Sequence, residues 1–232
     1  MTFSRRSYQK ELLDQDEIPF ADIQQNMKEL DFINTWLGGH AITVAAFKLL
    51  SRGKKEISVC EIGCGGGDNL VAIYNWCQKK HIQLLITGID IKEECIDYAK
   101  SRKTLSSTTW ITNDYKKVLF DTKPDIIFSS LFCHHFADEE LILQINWMKQ
   151  NSKIGFFIND LHRNFLAYHS IKLLTRLFSK SYLVKSDAPL SVARGFKRNE
   201  LKRLCSEART GKATVTWKWA FRYLIMYEHE GA

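Results

Sequence analysis

No stretch of about 18 consecutive apolar residues occurs in the 232-residue chain, which excludes a membrane-spanning helix. The opening residues, MTFSRRSYQKELLDQDE, lack an apolar core, so the sequence predicts no export signal. The six cysteines form no Cys-x-x-Cys pair. The spacings Cys60/Cys64, Cys77/His81 and Cys133/His134/His135 do not make a zinc pattern, and no metal is expected. Cys60, Cys64, Cys77, Cys95, Cys133 and Cys205 are therefore read as reduced thiols of a cytoplasmic protein. Internal repeats and low-complexity tracts are missing too. What is present is ordinary for a globular chain, 45% hydrophobic and 25% charged. Its length can bury a core without disulfide or metal staples.

The net charge of +7 is unevenly spread. Residues 1–150 hold 18 Lys/Arg against 20 Asp/Glu, whereas residues 151–232 hold 15 against 6. A basic C-terminal third can attract a phosphate backbone or an acidic small molecule. It can equally be a solvated face.

The first 54 residues read as a helical flap. Ile23, Met27, Leu30, Ile33 and Leu37 recur at helical spacing before Gly38-Gly39, and a second helix is predicted over 40–50. From Ile57 short β-rich runs (ISVCEIG, QLLITGID, STTWIT, PDIIFSSLF, KIGFFIND) alternate with amphipathic helices. That alternation predicts an α/β fold with a parallel sheet covered on both faces. Residues 164–196 interrupt it as an inserted lid: one helix carrying Leu166, Leu173, Leu174 and Leu177, then a loop through Asp187, Pro189 and Ser191. After a helix over 197–208, ATVTWKW and FRYLIMY predict an antiparallel hairpin.

The strongest local signal is Glu61-Ile-Gly-Cys-Gly-Gly-Gly-Asp68, which follows the first strand and opens a helix. Gly63 and Gly65 let the backbone turn sharply and approach a ligand. A dinucleotide fingerprint would need glycine where Asp68 stands, and a carboxylate there repels a pyrophosphate. No Gly-Lys-Ser/Thr follows, so a P-loop is excluded. Asp90, ending the second strand, is placed to accept ribose hydroxyls. Asn113-Asp114 after the third strand can receive an exocyclic amine. A ligand with a cation, a ribose and an adenine would use all three groups, and S-adenosylmethionine is such a molecule.

The E-x-G-x-G-x-G run at 61–67, with Asp90 and Asn113-Asp114 on the next two strands, resembles the class I S-adenosylmethionine-dependent methyltransferases. The resemblance implies a Rossmann-like sheet of seven mostly parallel strands, spanning 55–232 here. It assigns cofactor binding to Glu61, Gly63, Cys64, Gly65, Asp90, Ile91, Asn113, Asp114, Tyr115 and Ser130, with S-adenosylhomocysteine as product.

The fourth strand ends in Ser129-Ser130-Leu131-Phe132-Cys133-His134-His135. It lacks the Asn/Asp-Pro-Pro-Tyr/Phe box associated with planar amines, and the Pro-Cys dipeptide of cytosine methylation. Nucleic acid is therefore not the expected partner. A phenol has a pKa near 10, so little is ionised at neutral pH, and an imidazole can take its proton during methyl transfer. His134 and His135 are the candidate bases, and Asp160 and His162 the candidates to orient them or the hydroxyl. Arg163 is a candidate partner for an acceptor anion, with Asp187, Ser191 and Arg194 in the acceptor wall. Each polar group has a structural alternative as a cap or a core partner. Tyr8, Phe20, Phe32 and Trp36 are candidates to shield a sulfonium. A Cys133 nucleophile has no neighbour that would lower its pKa.

The second half is similar to small bacterial methyltransferases of phenolic or quinone-like products, through N-D-L-H-R and D-x-x-x-S-x-x-R-x-F. The expected activity is O-methylation of an aromatic or quinol-like small molecule by a monomer or homodimer. An RNA methyltransferase using the basic third is the first alternative. A non-catalytic S-adenosylmethionine-binding partner protein is the second.

Overall fold

The computed structural model describes residues 3–15 and 18–231. Two helices precede the sheet, α1 (Phe20–Trp36) and α2 (Gly39–Leu50). Then come β1 (Glu56–Ile62), α3 (Asp68–Lys80), β2 (Gln83–Asp90), α4 (Glu93–Lys100), β3 (Thr109–Thr112) and β4 (Ile126–Ser130). The second half holds α5 (Asp138–Asn151), β5 (Gly155–Leu161), α6 (Phe165–Phe178), α7 (Tyr182–Arg194), α8 (Arg198–Glu207), β6 (Thr214–Lys218) and β7 (Arg222–Glu228).

The strands form one seven-stranded sheet in the order β3-β2-β1-β4-β5-β7-β6. Neighbours from β3 through β5 pair in parallel, and β7 runs antiparallel between β5 and β6. This is the expected mixed sheet with its C-terminal hairpin. Strand order reverses between β1 and β4, which opens a crevice at their carboxyl ends.

The strands read as nearly continuous apolar runs because both faces are covered. Successive residues alternate between two cores. Phe128 and Phe157 stack at 4.8 Å beneath α2 and α3, joined by Phe47, Leu70 and Ile73. Ile127, Phe156 and Ile158 point the other way, into α5 and α8 with Ile145, Met148 and Leu204. Burying each such side chain contributes about 1.5–3 kcal/mol.

Two segments differ from expectation. The run KIGFFIND forms β5, which extends one residue beyond it to Leu161. The segment read as a loop around Pro189 is helix α7, with the proline inside it. An interior proline forgoes one helical hydrogen bond and costs about 3 kcal/mol. Burial of Leu183, Val184, Leu190 and Val192 opposes that cost. So does the Ser191 hydroxyl, which shares its one proton between Asp187 O at 2.9 Å and Glu11 Oε1 at 2.7 Å and so ties down the turn.

Candidate active site

A cavity of about 870 Å³ opens at the carboxyl ends of β1, β2 and β4. Ligand sites commonly span about 300–1,000 Å³. Its walls include the glycine loop, α1, the β4–α5 loop and the inner faces of α6 and α7.

The loop after β1 turns through two left-handed glycines, Gly63 (φ +64°) and Gly65 (φ +50°). A Cβ on Gly63 would stand 2.2 Å from the Phe132 ring, so glycine lets that ring close over the loop. Gly65 N–H donates to Asp90 Oδ2 at 2.8 Å, and Lys92 N–H to Asp90 Oδ1 at 3.0 Å. Burial raises the Asp90 pKa, and those donors oppose the rise.

Glu61 is buried, with Asn69 Nδ2 donating to Oε1 at 3.0 Å and Oε2 left without a partner among the described residues. Burial pushes its pKa well above the usual carboxylate range, and the Asp68 and Asp90 charges add to the rise. Asp68 opens α3, where the helix dipole favours an anion. It meets His40 Nε2 at 2.7 Å and accepts from Asn34 Nδ2 at 3.2 Å. Burial would raise its pKa, but His40, the Asn34 hydrogen bond and the Arg102 charge together outweigh burial and lower it.

Arg222, at the start of β7, also lines the cavity. Its Nη2 donates to Asn34 Oδ1 at 2.8 Å, and its Nη1 has no partner among the described residues. Burial lowers this guanidinium to about 10. Asp114 caps the short turn after β3, accepting from Lys116 N–H at 3.0 Å. Asn113, Ile91, Tyr115, Cys64 and Ser130 line the same cavity, and Ser130 Oγ is another buried atom without a partner among the described residues.

Across the cavity, β4 and β5 end side by side, with Ser130 opposite Asn159. That register sets Asp160 beneath the β4–α5 turn. Asp160 Oδ1 lies 2.7 Å from His134 Nδ1, and its Oδ2 accepts from His134 N–H at 3.2 Å. His134 is 3% exposed. Its Nε2 has no hydrogen-bond partner among the described residues and sits 3.5 Å from Glu11 Oε1. Burial works to lower the His134 pKa, but the Asp160 charge and hydrogen bond, with the nearby Glu11 carboxylate, outweigh it and raise it to about 9. His135 lies 3.8 Å from Glu11 Oε2 and 3.3 Å from Asp14 Oδ1.

Glu11 and Asp14 carry no sequence pattern, and nothing in the sequence pointed to them. The N-terminal segment that brings them is tied down by residues expected in the acceptor wall. Asp187 accepts from Leu12 N–H and Leu13 N–H, both at 2.9 Å. Ser191 Oγ donates to Glu11 Oε1 at 2.7 Å. Arg194 donates to Gln9 O at 2.8 Å, His134 O at 3.1 Å and His135 O at 2.8 Å. All three line the cavity, but these polar atoms hold backbone and Glu11 in place.

Arg163 and His162 are elsewhere. The Arg163 side chain is fully buried in a pair with Glu200 at 2.6 Å, and it donates to Gly195 O, Phe3 O and Ser4 O. It does not face the cavity, which corrects its assignment to an acceptor anion. His162 accepts from Trp217 Nε1 at 3.3 Å and packs on Tyr223, away from His134. Tyr8 lines the cavity, whereas Phe32 and Trp36 line an outer groove. Phe20 is exposed and lines neither. Cys133 lies between Ser129 Oγ and Gln144 Oε1, and burial pushes its thiol far up, so it is no nucleophile.

An open sheet of this order, with a glycine loop and acid-tipped strands at its switch point, defines an α/β protein with a ligand site at the carboxyl edge. Residues 53–218 match the family model described as a methyltransferase domain. The chain belongs to that methyltransferase family. No curated protein matches it in sequence. Among solved structures it is similar to the plantazolicin methyltransferase BpumL in complex with SAH, at 18% identity and a TM-score of 0.67, covering 94% of this chain and 91% of that one. Human N-acetylserotonin methyltransferase in complex with SAM gives 18% and 0.62, covering 90% and 56%. Magnesium protoporphyrin IX methyltransferase from Synechocystis PCC 6803 with bound SAH gives 15% and 0.52, covering 93% and 90%. These likenesses establish the shared fold.

Proposed function

We propose that this protein transfers a methyl group from S-adenosylmethionine to a hydroxyl of an aromatic or quinol-like small molecule. The observation that carries the reading is His134. Asp160 fixes its Nδ1, and its Nε2, 3.5 Å from Glu11 Oε1, makes no hydrogen bond among the described residues, in the wall of the same cavity as the glycine loop.

The donor set suits the cofactor. A carboxylate oxygen (Glu61 Oε2), a guanidinium nitrogen (Arg222 Nη1) and a hydroxyl (Ser130 Oγ) are buried around one cavity without partners among the described residues. S-adenosylmethionine carries an ammonium, a carboxylate and ribose hydroxyls that can answer such groups. When bound, it supplies a methyl group made electrophilic by its sulfonium. Glu61 and Arg222 would hold the amino-acid end, Asp90 the ribose and Asn113-Asp114 the adenine amine. Cys64, Ile91 and Tyr115 would wall the adenosine, with Gly63 and Gly65 beneath. The SAH- and SAM-bound structures of similar fold support this reading.

In the mechanism, the acceptor hydroxyl gives its proton to His134 Nε2 while Asp160 holds the ring in place. His135 flanks the same position, and we read His134 as the base because its second nitrogen is fixed. A phenol near 10 and an imidazolium near 9 are matched to within about 1.4 kcal/mol, so the proton passes at little cost. His134 is protonated at neutral pH, so the rate should rise with pH up to about 9. An acceptor that displaces Glu11 would lower that value and expose the base. Positioning of the hydroxyl supplies the rest of the acceleration.

We read residues 1–54, which include α1 and α2, as the flap, and residues 164–196, with α6 and α7, as the lid, of a cytoplasmic enzyme whose six described cysteines are free thiols. RNA is the weaker acceptor, because the end of β4 lacks the Asn/Asp-Pro-Pro-Tyr/Phe box associated with planar amines. The test is calorimetric titration with S-adenosylmethionine, followed by label transfer to a phenol and quinol panel and to total RNA. Failure of the wild-type protein to bind the cofactor would overturn the reading, and label in RNA alone would reassign the acceptor.

A further inference from the structure

Helix α6 is apolar on two sides. Ala167, Ile171 and Thr175 are buried against the body of the protein. On the outer side Leu173, Leu177 and Phe178 are 58%, 64% and 77% exposed. Phe32 and Trp36 of α1 continue the patch, with Trp36 74% exposed. A groove of about 360 Å³ runs between these two helices. Ile33, Leu37, Ile171 and Leu174 line both this groove and the main cavity, so the groove backs directly onto the site. Contiguous exposed apolar surface of this kind marks an interaction surface.

Charge decides the occupant. Lys172, Arg176, Lys180 and Lys185 are exposed along α6, its exit and α7, and residues 164–186 contain no acidic residue. The acid nearest the groove, Glu29, already accepts from Ser179 Oγ and from Lys180 N–H and Ser181 N–H. A second copy docked two-fold on α6 would set these cations against their own images. A helix with Leu and Phe on one side and Lys and Arg beside them suits the interface of an anionic bilayer.

We propose that α6 and the Phe32–Trp36 edge of α1 dock on an anionic lipid surface, with the groove mouth facing the lipid. An apolar acceptor dissolved in the bilayer then reaches the cavity without crossing water. This last clause rests on the methyltransferase reading, whereas the docking itself does not.

The test is flotation of the intact protein with vesicles of equal parts phosphatidylglycerol and phosphatidylcholine, and with vesicles of phosphatidylcholine alone. The protein should float with the anionic vesicles, release as salt rises, and stay unbound on phosphatidylcholine. Phe178→Glu should abolish flotation. Lys172→Gln with Arg176→Gln should weaken it roughly 25-fold, about fivefold for each cation near an anionic surface. Unchanged melting temperatures would show that these exposed substitutions leave the fold intact. Wild-type protein that does not float at low salt, or floats equally well as Phe178→Glu, overturns the proposal. So does a wild-type dimer that Phe178→Glu splits. Flotation needs no methyl transfer, so its failure leaves the catalytic reading standing.

Discussion

Replacing Asp160 by asparagine keeps the side chain's shape and a hydrogen bond to His134 Nδ1, and removes one charge. The wild-type imidazole is raised from 6.5 to about 9, and at 1.36 kcal/mol per pKa unit this is about 3 kcal/mol of preference for the charged form. His134 is 3% exposed, so solvent screening takes little from that figure. Asp160 is the largest contributor that raises it, ahead of Glu11. The sign follows from the raised folded value: the stabilisation is fully present below about pH 6.5 and is lost as pH rises through 9. Asp160→Asn should therefore lower the melting temperature by roughly 5–10 °C at pH 6 and change it little at pH 10. Titration of ¹⁵N-labelled histidine should find His134 near 9 in the wild type and at least two units lower in the variant. Under the proposed mechanism, the alkaline rise in methyl transfer moves down with it. A wild-type His134 titrating near 6.5, or a melting difference equal at pH 6 and pH 10, would refute the reasoning.

Glu61→Gln removes a buried carboxylate whose folded pKa is raised, so at pH 7 the melting temperature without cofactor should stay level or rise. Affinity for S-adenosylmethionine should fall roughly 10- to 100-fold, the worth of a charge-assisted hydrogen bond; a lower melting temperature together with unchanged affinity would contradict this. Gly63→Ala places a Cβ on a left-handed residue and against Phe132, so calorimetry should show cofactor binding lost even in protein that still melts cooperatively. Arg163→Met should lower stability by about 3–5 kcal/mol in urea titration by stranding Glu200 and three backbone carbonyls. The more conservative Arg163→Lys should leave the acceptor KM unchanged.

The strands and the glycine loop were legible because periodicity and glycine placement are local properties. The positions of Asp90 and Asp114 at the cavity were legible for the same reason, since each ends or follows a strand of the βα alternation. The His134–Asp160 contact is one step further, because parallel pairing of β4 and β5 brings the residues after one strand beside the end of the next. Glu11 was not legible, as nothing in a polar N-terminal stretch says that Ser191 and Asp187 will draw it across the sheet. The loop expected around Pro189 failed because tertiary burial overrode the local cost of a helical proline. Arg163 failed because an arginine at a strand end gives no sign of whether its partner is a ligand or, as here, Glu200. Arg222 did leave a signal: a lone cation opening the apolar run FRYLIMY is costly to bury unless something answers it.

The most direct test of the central claim is transfer of a labelled methyl group from S-adenosylmethionine to the phenol and quinol panel at pH 8, by wild-type protein and by His134→Ala. The account predicts label on a hydroxyl oxygen of one acceptor, with the rate falling by roughly 10²–10⁴ in the variant, the range for loss of a general base. Label confined to RNA, or transfer to a hydroxyl at an undiminished rate in His134→Ala, would contradict it.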